Sequence, residues 1–247
     1  MRLLPAGVGI VAALWSLSAL AEGQPCYGVP TLGAAGDAGT TPQLATVTPG
    51  GRVHFVKGSE QPGCPGASAA CAMGAFVVDG DVVVVSTTTG DSACATFTGP
   101  GPKTVSTSGF LPRGQLGAPP VAAPINASSA WAGSWSSGDE RTITIKPKSE
   151  SRIAIEGGAS WGSHDPERVK RGGVNVGDIA AEVSITEGVV AFAIDGDTTK
   201  PFDLKRDDNS DVCRVKLWRL GPYLVAEDNL RCGGMNVTFT GVYRKAK

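Results

Sequence analysis

The chain has 247 residues, of which 41% are hydrophobic, 18% charged and 6% aromatic, with 34 Gly, 17 Pro and a formal net charge of -1. That charge excludes a strongly basic nucleic-acid-binding surface and an acidic tail for a basic partner. The Gly and Pro content excludes a coiled coil and predicts many turns in an all-β chain.

The first 21 residues read as a secretory signal. Arg2 precedes an apolar run from Gly7 to Leu20, and Ala19-Leu20-Ala21 is a small-x-small cleavage pattern. The expected mature start is Glu22, which places the protein in the periplasm or outside the cell. The apolar run is short for a membrane span, and no later segment is long and apolar enough for one.

Six cysteines, Cys26, Cys64, Cys71, Cys94, Cys213 and Cys232, form an even set in an exported chain, which predicts disulfides. Four lie early and two late. The long interval between Cys94 and Cys213 predicts pairing within each half: Cys213 with Cys232, and any of three connectivities among the first four. A zinc site would need closer Cys or His pairs than Cys64 and Cys71, and the only histidines are His54 and His164. No metal or cofactor is expected.

Gly117 to Ala130 is uncharged, Pro-rich and without hydrophobic period, the pattern of a linker. It divides the mature chain into an irregular lead-in over 22–51, a small domain over 52–116 and a larger one over 131–247. In the first domain, strands are predicted at Arg52–Lys57, Ala75–Val78, Asp81–Ser86, Ala93–Thr98 and Thr104–Ser108. The continuous run Val82 to Val85 suits a strand buried on both sides. The order of a valine-rich strand, a Gly90-Asp91 turn and a closing Gly109-Phe110-Leu111-Pro112 segment before Leu116 resembles bacterial SH3-like domains. That resemblance implies a small barrel of a family that includes cell-wall and peptide-binding modules. Five aromatics and no Trp between Glu22 and Leu116 fit a spacer or adaptor better than an aromatic peptide groove.

The second domain alternates plainly. Ile143 and Ile145, Ile153 and Ile155, and Phe192 and Ile194 each share a strand face, as do Met235 and Phe239 near the end. About eight strands in this length predict an up-and-down barrel, which closes a meander without exposed edges. Gly133-Ser-Trp135 resembles the Gly-x-Trp opening of calycin barrels, and the resemblance implies that Trp135 packs against Arg244 of the last strand. The run from Cys232 to Arg244 resembles the C-terminal domain of exported lysozyme-inhibitor-like proteins.

Ser163-His164-Asp165 are adjacent in an extended chain, so they point apart and are not expected to form a triad. Asp195-Gly-Asp197 and the Asp207–Asp211 cluster read as polar turns. No enzyme activity is expected. The long Gly157–Gly177 segment reads as a loop carrying Trp161, Arg168 and Arg171, an aromatic anchor with nearby arginines. The function expected is an exported, non-catalytic binding protein that uses this loop on a protein partner, lysozyme or a cell-envelope component. The alternative is a lipocalin-like carrier holding a small apolar ligand inside the barrel.

Overall fold

A computed structural model describes residues 25–32, 41–48, 50–66, 68–100, 105–118, 125–200 and 211–246. The expected signal segment 1–21 and most of the Asp207–Asp211 cluster lie outside the described residues, as does 119–124 in the expected linker. The chain is all-β: among the described residues, sixteen strands form two antiparallel sheets, a half-barrel of seven and a nearly closed barrel of nine.

The first sheet comprises β1 Gln43–Val47, β2 Val53–Val56, β3 Ala72–Val77, β4 Val82–Thr89, β5 Ser92–Thr98, β6 Ser106–Pro112 and β7 Leu116–Gly117, in the order β3-β2-β6-β5-β4-β1-β7. Val47, Val53, Phe55, Val77, Val83 and Leu111 form its core. The valine run behaves as its composition predicts: Val83 faces this core while Val84 faces the opposite side, and both are fully buried. β1 lies in the stretch expected to be irregular, where pairing of Gln43–Thr46 with Val82–Val85 supplies the order that its short sequence does not signal. Gly109-Phe110-Leu111-Pro112 continues β6 rather than following the last strand. Gly109 permits this, because a side chain there would press on Phe55 and the Val56 carbonyl of β2.

The second sheet comprises β8 Gly133–Ser136, β9 Arg141–Pro147, β10 Arg152–Trp161, β11 Asn175–Ser184, β12 Val189–Asp195, β13 Thr198–Lys200, β14 Cys213–Leu220, β15 Tyr223–Asp228 and β16 Gly241–Lys245. β8 to β11 and β14 to β16 pair consecutively in an up-and-down order, β12 pairs with both β13 and β14, and β8 pairs with β16, joining the two ends of the unit. Across the remaining gap, Thr199 Oγ1 donates to the Ala180 carbonyl at 3.3 Å. Ile143, Ile145, Ile153, Ile155, Phe192 and Phe239 fill the interior together with Trp131 and Trp135.

Two expectations are corrected. Met235 is not interior: it is 79% exposed, and residues 231–240 form no strand. This segment crosses one barrel end and inserts Val237 and Phe239 into the core. The buried Asp228 carboxylate holds it there, accepting from Thr238 Oγ1 at 2.6 Å, the Phe239 amide at 3.0 Å and Thr240 Oγ1 at 2.8 Å. Nor is 157–177 one loop, since β10 runs to Trp161 and β11 begins at Asn175. Gly157 and Gly158 remain in register with Ile179 and Asp178, so small residues here make room for the neighbouring strand instead of ending the ladder.

The three disulfides are Cys26–Cys94, Cys64–Cys71 and Cys213–Cys232, so pairing stays within each half. The outer face of β14–β16 packs against the first sheet: Trp218, Tyr223, Val225 and Val242 meet Val29, Leu44 and Val84. At this boundary the 25–32 segment is tethered to both sides, by Cys26 to β5 and by the Leu32 amide to the Asp228 carbonyl at 2.8 Å.

Candidate functional site

The barrel end crossed by residues 231–240 carries a cleft of about 340 Å³ lined by the β8–β9 turn, the end of β10 and the crossing segment. Its residues include Ser137, Asp139, Glu140, Arg141, Ser160, Trp161, His164, Asn236 and Thr238.

Trp161 ends β10 on the inward-facing row, half-buried against the barrel core. The chain then turns at Gly162, whose φ of +84° suits glycine and whose bare Cα lets the Arg168 stem lie across it. A short helix follows, α2 Pro166–Lys170, the second after α1 Ser128–Trp131, which leads into β8. Asp165 is its N-cap, accepting from the amides of Glu167 at 3.0 Å and Arg168 at 3.2 Å, and Pro166 is its first residue. The Asp-Pro pair is the local signal for this turn of helix, which is too short to leave a hydrophobic period. α2 carries Arg168 back over the indole, with Cζ 4.0 Å from the ring centroid and Nε 3.4 Å from Asp165 Oδ2. Trp161 and Arg168 are thus brought together. Arg171 is exposed at the C-cap of α2 and does not join the stack.

Glu140 anchors the other side of the loop. Its Oε1 accepts from the Ser163 amide at 2.9 Å and the Ser163 hydroxyl at 2.7 Å. Burial opposes ionisation of this carboxyl but is outweighed by both Ser163 hydrogen bonds, the charge of His164 and the Gly162 amide, which hold its pKa below the ordinary value. Ser163 therefore donates to Glu140, and Asp165 caps α2, so the Ser163-His164-Asp165 sequence does not act as a relay. Arg141 gives its guanidinium to the Thr240 and Ser137 carbonyls. Ser137 is almost fully buried at the base of the cleft, and its hydroxyl makes no hydrogen bond.

The expected Trp135–Arg244 contact is corrected. Trp135 is stacked by Arg219, whose Cζ is 4.7 Å from the ring, and approached by Lys245 Nζ at 5.9 Å. Lys245 is the register partner of Trp135, so its side chain shares that face, and its stem lies over Gly133. Arg244 sits one residue earlier on the opposite face and stacks on Tyr223.

No family model, curated protein or solved structure matches the chain. Among the described residues, no three His, Cys, Asp or Glu side chains converge as metal ligands, and no helix is long and apolar enough to cross a membrane.

Proposed function

We propose that this chain is an exported, non-catalytic binding protein whose partner contacts the barrel end around Trp161 and Arg168. The observation that carries this reading is the Trp161–Arg168 stack itself. An aromatic anchor half-sunk in the core, with an arginine held over it by a capped helical turn, is preorganised and loses little entropy on binding. A carrier would need internal room, whereas the barrel interior is occupied by Trp131, Trp135, Ile143, Ile155, Phe192 and Phe239, each at most 1% exposed. Three disulfides are in keeping with an oxidising compartment.

The resemblance of the last strand region to lysozyme-inhibitor-like proteins makes lysozyme the first partner to test, with the SH3-like half acting as spacer or adaptor. Lysozyme activity and binding are measured with the purified protein, and fluorescence of a fatty-acid probe in parallel. Saturable binding that Trp161→Ala or Arg168→Ala weakens by about 2 kcal/mol, the scale of a hot-spot residue, is the expected result. Saturable probe uptake without partner binding favours the carrier instead.

A further inference from the structure

The cleft beside the Trp161–Arg168 stack has a chemistry of its own. The buried Ser137 hydroxyl at its base is without a hydrogen-bond partner, although buried polar groups are nearly always satisfied. A hydroxyl left in that state costs free energy unless something outside the chain completes it. Around it, the charged groups are largely committed within the protein: Glu140 to Ser163, and Arg141 to the Thr240 and Ser137 carbonyls. With the Ser160 and Thr238 hydroxyls given to Ser163 and Asp228, the polar groups that remain are the Ser137 hydroxyl, the exposed Asp139 carboxylate, the exposed His164 ring and the Asn236 amide, the last on a turn at φ +66°. The Trp161 indole supplies an apolar wall.

A hydroxyl, an amide and a carboxylate together offer both donors and acceptors within one small space. Asp139 and Glu140 oppose a simple anion, and a lone cation would pair with Asp139 but leave the Ser137 hydroxyl and the Asn236 amide unused. A ligand whose groups each donate and accept, with an apolar C–H face for the indole, matches all of these residues at once. At about 340 Å³ the cleft lies at the small end of ligand sites, with room for one or two sugar rings.

We propose that this cleft is a binding site for a neutral saccharide, with Ser137, Asp139 and Asn236 as its hydrogen-bonding groups and Trp161 as its apolar wall. The proposal goes beyond the protein-binding reading: the two share Trp161, and Ser137 and Asn236, which lie outside the 161–171 segment, belong to the saccharide site alone.

The full chain is titrated with cellobiose, maltose and N,N′-diacetylchitobiose, followed by tryptophan fluorescence and saturation-transfer NMR, with free arginine as the cationic control. At least one saccharide is expected to bind saturably, and Ser137→Ala and Asn236→Gly each to weaken it about tenfold. Glycine keeps the left-handed turn that Asn236 adopts, and alanine removes only the unpaired hydroxyl, so circular dichroism of both variants should match the parent. The proposal is overturned if none of the three saccharides binds, if arginine binds in their place, or if both variants bind as tightly as the parent. Lysozyme binding measured on the same variants separates the two readings. Saccharide binding lost with lysozyme binding intact assigns Ser137 and Asn236 to the saccharide alone, whereas lysozyme binding without any saccharide binding overturns only the present proposal.

Discussion

Arg244 of β16 lays its guanidinium over the ring of Tyr223, with Cζ 4.3 Å from the centroid, and reaches across the sheet boundary to donate from Nε to the Thr98 carbonyl at 2.8 Å. Arg244 Nη2 also donates to Tyr223 Oη at 3.0 Å, and that hydroxyl donates to the Val82 carbonyl of β4. The pair therefore bolts the barrel to the half-barrel beside the apolar layer of Trp218, Val225, Val242, Leu44 and Val84.

Replacing Arg244 by Ala removes a cation–π contact and two hydrogen bonds, and leaves the Thr98 carbonyl without its partner. A loss of about 2 kcal/mol is expected in denaturant unfolding. Proteolysis between Gly117 and Ala130 should yield two fragments that co-elute on native size exclusion, because this layer holds them together. In the Arg244→Ala protein the nicked fragments should separate more readily.

Cys213–Cys232 ties the start of β14 to the segment that crosses the barrel end, with a sequence separation of 19. In the chain-entropy treatment, opening a loop of this length costs about 3 kcal/mol. The double Cys→Ser variant should unfold at correspondingly lower denaturant concentration. Intact-mass analysis of the parent after alkylation without reductant should show no modified thiol.

Glu140 links the β8–β9 turn to the Trp161 loop. Its folded pKa is depressed, so its contribution to stability is present above the unfolded value of about 4.3 and disappears as pH falls through the lower folded value. Glu140→Gln should accordingly melt below the parent at neutral pH, and the gap should narrow as the pH drops below about 4. Melting curves across pH 3 to 7 check this, with about that span bracketing both values.

Gly177 sits on the inward row of β11, where a Cβ would run into the Cys232 carbonyl and approach Gly233 Cα at 2.7 Å. Both obstacles are backbone held by the disulfide and by the Gly234 amide, which donates to the Val176 carbonyl at 3.0 Å. Gly177→Ala should cost about 1–3 kcal/mol. Gly158→Ala, where the nearest atom is Asp178 Oδ1 at 3.6 Å, should be close to neutral in the same thermal melt.

The alternation of Ile143 with Ile145, Ile153 with Ile155 and Phe192 with its neighbours was legible in the sequence, since a strand with one buried face writes a period of two into its own residues. The even cysteine count and the Cys213–Cys232 pairing were legible for a similar reason, as they depend on spacing alone. The Trp161–Arg168 proximity could be anticipated from one segment, and the Asp165-Pro166 cap explains how it is achieved. Tertiary structure decided the rest. The cleft joins Ser137–Arg141, Ser160–His164 and Asn236–Thr238, which become neighbours only when the barrel curls and the last connection crosses its end. Whether Lys245 or Arg244 meets Trp135 turns on a one-residue register that inverts every side chain of β16. Met235 alternates as a strand residue would, but the Asp228 carboxylate claims the hydroxyls and amide beside it and turns that segment into a cover. A local pattern records that a face is apolar; which distant residues cover it is settled by closure and packing of the whole chain.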